Sequence, residues 1–234
     1  MPHTTVAWSR MTAQIGVARA LLPFAAVAAA AGLVFAVLCD AVGEHDGLTV
    51  VDRPVALWVA AHRTLVEGDV ALLLAKVTSP AVLVAAVAVA VLLLAWRGRR
   101  REALVLGASV VLAYALGGAA KYGEHRARPA APINLAPETE PSFPSGHVLV
   151  ITTVAFVALL LAWRHLGRRA RVAGVLLAAA ASTVVGVDRL VAGAHWLTDV
   201  VGALALAVVV VALAAAAHAW LLARDAAPSA PPGD

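Results

Sequence analysis

The stretch VVGALALAVVVVALAAAAHAWLLA, Val200–Ala223, runs between Asp199 and Arg224 without a single charged side chain. A helix needs about 20 apolar residues to cross the hydrocarbon of a bilayer, so this segment is long enough to span one. Five further charge-free runs share its character: Ala20–Cys39, Val77–Trp96, Ala103–Ala120, Val148–Trp163 and Val172–Val187. The composition agrees, with 62% hydrophobic and 14% charged residues in a chain of 234. A soluble domain is usually close to half apolar and a quarter charged. Abundant Ala, Leu and Val, with few Phe and Tyr, favour helices over a barrel. The expected fold is therefore all-α, a six-transmembrane-helix bundle. The fourth and fifth runs are short for a bilayer, so their helices should extend into flanking polar residues, including His147.

Basic residues set the orientation. RGRRRE (Arg97–Glu102) and RHLGRRAR (Arg164–Arg171) carry four arginines each and separate spans two from three and four from five. The positive-inside rule makes both cytoplasmic. Six spans then leave both termini on that side, residues 1–224 forming one integral membrane domain and 225–234, with its Pro-rich APSAPPGD, a disordered tail. Trp8, Trp96, Trp163 and Trp220 fall near cytoplasmic span ends, where indoles commonly sit. The formal charge of +4 does not point to nucleic acid, because the cations cluster between apolar runs. The first run is longer than a signal-peptide core and has no clear small-residue cleavage site, which reads as a retained anchor. Cys39 is the lone cysteine, a small apolar filler. In VDRPVALWVAAHRTL, Val55, Trp58, Val59 and Leu65 are spaced for one face of a short interfacial helix between spans one and two.

The remaining external segments concentrate chemistry. KYGEHRARP supplies Lys121, Arg126 and Arg128; PSGH supplies Ser145, Gly146 and His147; DRLVAGAHWLTD supplies Arg189, His195 and Asp199. Cations gathered on the outer face imply an anion, and guanidinium groups pair with phosphate through two-point hydrogen bonds. The N–H groups that open the helix at PSGH are a second anion-binding device. His195 and Asp199 are four apart, so their side chains can touch if the last helix begins near Ala194. A carboxylate that holds one imidazole N–H leaves the other nitrogen free to act as a nucleophile, and His147 remains to protonate the departing oxygen. Arg126 could assist the phosphate or face lipid headgroups; Glu124 and His125 read as solvated loop residues.

Lys121-x6-Arg128-Pro129, then Pro144-Ser145-Gly146-His147, then Arg189-x5-His195-x3-Asp199 resembles the three-part signature of the type 2 phosphatidic acid phosphatase superfamily of membrane lipid phosphatases. The resemblance implies a six-span helical enzyme with an outward-facing site. It implies His195 as the nucleophile that forms a phosphohistidine, Asp199 as its orienting partner and His147 as the general acid. It also implies phosphate binding by Lys121, Arg128, Ser145, Gly146 and Arg189, without metal or other cofactor. The substrate would be a lipid phosphate monoester or diphosphate: prenyl diphosphate of cell-wall carrier recycling, phosphatidylglycerophosphate or phosphatidate. Asp188 departs from the family, which often has serine there; its carboxylate either weakens anion binding or pairs with Arg189. A membrane phosphotransferase would share the first half-reaction. A transporter would place charges near mid-membrane, and no span carries one at its centre. A binding-only protein would not need His147, His195 and Asp199 together.

Overall fold

The computed structural model describes residues 3–44, 47–136 and 138–226, with side chains from Arg19 to Asp225. Among them are eight α-helices and no strand. The long helix α1 (His3–Glu44) leads through a 3-10 turn (Gly47–Val51) into two shorter helices, α2 (Asp52–His62) and α3 (Leu65–Val77). Next come α4 (Pro80–Trp96), α5 (Arg100–Glu124), α6 (Gly146–Ala162), α7 (Arg168–Val191) and α8 (Leu197–Ala226). Five of these helices, α1, α5, α6, α7 and α8, are long and apolar enough to cross a membrane; the number reaches six if α3 and α4, bent by 42°, form one broken span.

The second charge-free run is thus not one helix starting at Val77. Val77 ends α3, and α4 opens at Pro80, whose ring disfavours helical geometry at Ser79 and offers no N–H to continue the ladder. Leu65 likewise leaves the face expected for it. Helix α2 stops at His62, and Thr64 starts a new helix with a reciprocal capping box to Glu67. Extension of the fourth and fifth spans into polar flanks is seen: α6 begins at Gly146 and α7 runs from Arg168 to Val191. Asp225 and Ala226 finish α8 instead of belonging to a tail. The rest of that tail, 227–234, lies outside the described residues, as does the side chain of Trp8.

Helix α8 is central: it packs on α1, α5 and α6, while α7 closes on α6 and α4 on α5. One apolar cluster joins Ala113, Val148, Leu149 and Val185 to Val200, Ala203, Leu206, Ala207 and Val210 of α8. A second, toward the arginine-rich end, joins Val87, Val105, Leu106, Val157, Leu161 and Ala214. Outside the bundle, Leu33, Leu92, Val111, Leu176, Leu177 and Val184 are exposed. Apolar side chains on the outward surface of helices this long are what a bilayer solvates. The molecule is a multi-pass membrane protein.

Candidate active site

Three connections meet at the end of the bundle away from the arginine clusters. Helix α5 ends on His125, which takes a left-handed conformation (φ 47°) and returns its N–H to the Lys121 carbonyl. The chain then crosses the bundle end before entering α6 at Gly146. Its crossing is pinned to the α7–α8 turn by Leu135 N–H donating to Ala192 O at 2.9 Å. Arg63 strengthens the junction, donating to Ile133 O at 2.7 Å and to Val191 O at 2.9 Å. Trp196 Nε1 donates to Ala127 O at 2.8 Å. Gly193 makes the approach possible: its φ is +65°, and a Cβ there would lie 2.0 Å from Ile133 O. Gly202 does the same for Phe143, one residue before PSGH, whose ring would sit 2.5 Å from an added Cβ.

Helix α8 begins at Leu197, three residues beyond the expected start, so His195 precedes the helix and Asp199 occupies its first turn. The contact forms nonetheless. Asp199 Oδ2 accepts Trp196 N–H at 2.9 Å, capping the helix, and lies 3.3 Å from His195 Nδ1. On the other side of the ring, Arg128 Nη1 stands 3.2 Å from Nε2. A guanidinium can only donate, so Nε2 carries the lone pair and Nδ1 the proton held by Asp199. His195 is 2% exposed. Burial pushes its pKa down, and Arg128 adds to this; Asp199 and Glu138 oppose them, and the net shift is below the ordinary imidazole value.

Lys121, Arg128, Gly146, His147 and His195 line one cavity of about 470 Å³, walled on its apolar side by Leu72, Ala75 and Pro80. Of the expected phosphate ligands, Arg189 and Ser145 are not among the residues lining this cavity, and both are fully buried. Ser145 N–H donates to Asp199 O at 3.2 Å, and among the described residues its Oγ finds no hydrogen-bond partner, like Nε2 of His147. Asp188 pairs with Arg189, its Oδ2 accepting Nε at 2.9 Å. Lys121 Nζ donates to Pro141 O. Among the described residues, no three His, Cys, Asp or Glu side chains converge as ligands of a metal would.

Two acidic residues in the site carry no motif. Glu138 sets one oxygen 2.7 Å from Arg128 Nη1 and the other 3.5 Å from Arg189 Nη1, spanning two guanidinium groups as a bound oxyanion would. Burial raises its pKa, but Arg128, both histidines and Arg189 outweigh burial and hold it below the usual carboxylate range. Asp52, in the first turn of α2, is 3% exposed and binds Arg126 Nη2 at 2.6 Å. Arg126 Nη1 in turn binds Asp199 Oδ1 at 2.5 Å. Arg126 is thus paired with two carboxylates and is not among the residues lining the cavity. Asp52 was invisible in the sequence because nothing in its spacing ties it to partners 74 and 146 positions later.

The fold and site define a helical membrane protein with a cationic cavity over a buried His–Asp pair. The sequence model of the PAP2 superfamily matches residues 102–223, and the chain belongs to that family. No curated protein matches the sequence. Two solved structures share the fold. A transmembrane PAP2-type phosphatidylglycerolphosphate phosphatase from Bacillus subtilis superposes with a TM-score of 0.72 at 21% identity, covering 80% of this chain and 93% of that one. Aquifex aeolicus LpxE superposes with a TM-score of 0.53 at 22% identity, covering 70% and 94%.

Proposed function

We propose that this protein is a lipid phosphatase that hydrolyses phosphate monoesters or diphosphates of membrane lipids at the outer face, through a phosphohistidine on His195. The observation that carries the reading is the state of the His195 ring: Nδ1 bound to Asp199, Nε2 carrying its lone pair into a cavity that holds Lys121 and Arg128. Nε2 attacks phosphorus, the bond from phosphorus to the leaving oxygen breaks, and that oxygen takes a proton from His147. Water then attacks the phosphohistidine, its proton goes to His147, and the P–N electron pair returns to Nε2. Lys121, Arg128 and the Gly146 and His147 N–H groups hold the equatorial oxygens, with Arg189 reinforcing them from behind and Ser145 shaping the turn. The reaction as written uses no metal. Residues 1–224 act as one domain.

The orientation rests on the two arginine clusters sharing the opposite end of the bundle. Arg99–Arg101 and Arg164 line one cavity there together with His218. Arg171 and Arg224 lie over the Trp163 and Trp220 rings at 5.2 and 5.1 Å. Helix α5 has 25 residues, so Arg100 and Lys121 stand roughly a bilayer thickness apart. On the site's side, α2 presents exposed Trp58 as an interfacial helix would. The test is phosphate release by detergent-solubilised protein in EDTA across phosphatidate, phosphatidylglycerophosphate and prenyl diphosphate. Turnover by wild type and none by His195→Ala is expected. Full activity in His195→Ala, or dependence on added metal, would overturn the mechanism.

A further inference from the structure

The pair His195–Asp199 is one end of a longer chain of charge. Asp199 Oδ1 accepts Arg126 Nη1 at 2.5 Å, and Arg126 Nη2 reaches Asp52 Oδ2 at 2.6 Å. Thr198 locks the assembly: its N–H and hydroxyl donate to Asp52 at 2.9 and 2.6 Å, and the hydroxyl accepts Arg126 Nη1 at 2.7 Å. The three ionic side chains are 0–11% exposed. Four elements therefore meet here: α2, the segment after α5, the α7–α8 turn and α8. We propose that Asp52 and Arg126 are positioning residues that act on His195 through Asp199, fixing the carboxylate and setting the charge that awaits the imidazolium. This inference rests on the phosphatase reading for its kinetic consequence only.

The electrostatic argument is a count. Asp52, Arg126 and Asp199 together carry one net negative charge. When Nε2 bonds to phosphorus while Nδ1 keeps its proton, the ring becomes an imidazolium and the buried chain of four becomes neutral. Without Asp52, Arg126 would cancel Asp199, and the ring's new positive charge would have no buried counter-charge. Such uncompensated buried charge is strongly unfavourable. Without Arg126, two carboxylates would face the ring and its protonated form would be over-stabilised. The other charged groups facing His195 are Arg128 and Glu138 from the crossing segment, with His147 of α6 and Lys121 of α5 on the same cavity. None of these contacts Asp52.

The test is the titration of His195 itself, followed by NMR of ring-labelled histidine in detergent micelles and assigned by the signal lost in His195→Gln. Asp52→Asn should lower its pKa by about one unit and Arg126→Gln should raise it by a similar amount. The double variant D52N/R126Q restores the net charge and should return the titration to near wild type. Turnover of phosphatidate by D52N should fall about ten- to a hundredfold, by analogy with the size that outer partners of metal-bound histidines typically carry. A structural role alone would not shift the titration in opposite directions that cancel. An unmoved titration in both single variants, or a shift of the same sign in both, overturns the proposal. If D52N fails to fold, R126Q and the double variant still decide it. A wild-type protein that turns over no lipid phosphate would refute the phosphatase reading but leave the titration test standing.

Discussion

Replacing Gly193 by alanine tests whether the site is assembled by two loops docking, backbone to backbone. The added Cβ would stand 2.0 Å from Ile133 O, 2.7 Å from its carbonyl carbon and 3.0 Å from Asn134 Cα. All three are main-chain atoms, so no side chain can rotate away. Relief to an ordinary contact of 3.4 Å requires the loops to part by about 1.4 Å at Ile133 O, and the left-handed φ of +65° adds about 1–2 kcal/mol for any residue with a Cβ. Parting them strains Leu135 N–H to Ala192 O and both Arg63 bonds, and carries Arg128 away from Nε2 of His195. A misplacement of about 1 Å commonly costs about a hundredfold in rate. The assay is phosphate release from phosphatidate in micelles, with thermal unfolding measured alongside. Gly118→Ala is the control, since nothing lies within 4 Å of a Cβ there and alanine is the better helix former. Expected are a loss of about a hundredfold in kcat/KM for Gly193→Ala and none for the control. Turnover of Gly193→Ala within about threefold of wild type would refute the docking argument.

Three other outcomes are expected. Asp199→Asn removes the acceptor that fixes the His195 tautomer, and should cut kcat by about 10³–10⁴-fold with little change in KM, read from steady-state kinetics. Glu138→Gln weakens the internal anion that spans Arg128 and Arg189; KM and the inhibition constant for inorganic phosphate should both fall, by about tenfold, and a rise in either counts against the assignment. The pH profile of kcat/KM follows from the lowered His195 pKa. The reactive ring is the neutral one, so activity is retained as pH falls through the ordinary imidazole value near 6.5 and is lost only at a lower pH, where Nε2 takes a proton. An acid limb centred above that value would contradict the buried, Arg128-facing ring.

How much of this was legible in the chain depends on whether the controlling interaction is local. Spans are local: a charge-free run such as Val200–Ala223 shows its length and apolarity residue by residue, and α8 follows it closely. The His195–Asp199 contact is local too, and survives even though the helix starts later than its spacing suggested, because Asp199 caps α8 through Trp196 and so stays beside the residue before it. The breaks at Arg63–Thr64 and Thr78–Ser79 were written in Thr64-x2-Glu67 and in Ser79-Pro80, but the charge-free run Val77–Trp96 carried across the second. Non-local polar partners are a different matter. Glu138 is a single carboxylate in a polar connection, and Asp52 and Arg63 flank a stretch whose spacing reads as an interfacial helix; the partners that hold all three, Arg128 and Arg189, Arg126 and Thr198, and the Ile133 and Val191 carbonyls, come from other segments of the chain. Arg126 shows the limit most clearly, since it sits two residues from Arg128 and a chain reading can assign both to one anion. In the fold their guanidinium groups part, Arg128 to the reactive face of His195 and Arg126 to the far oxygen of Asp199. A cation on each side of the same His–Asp pair cannot serve one phosphate. In the reaction and the positioning role proposed above, Arg128 would meet the substrate and Arg126 would govern how strongly the carboxylate holds the ring.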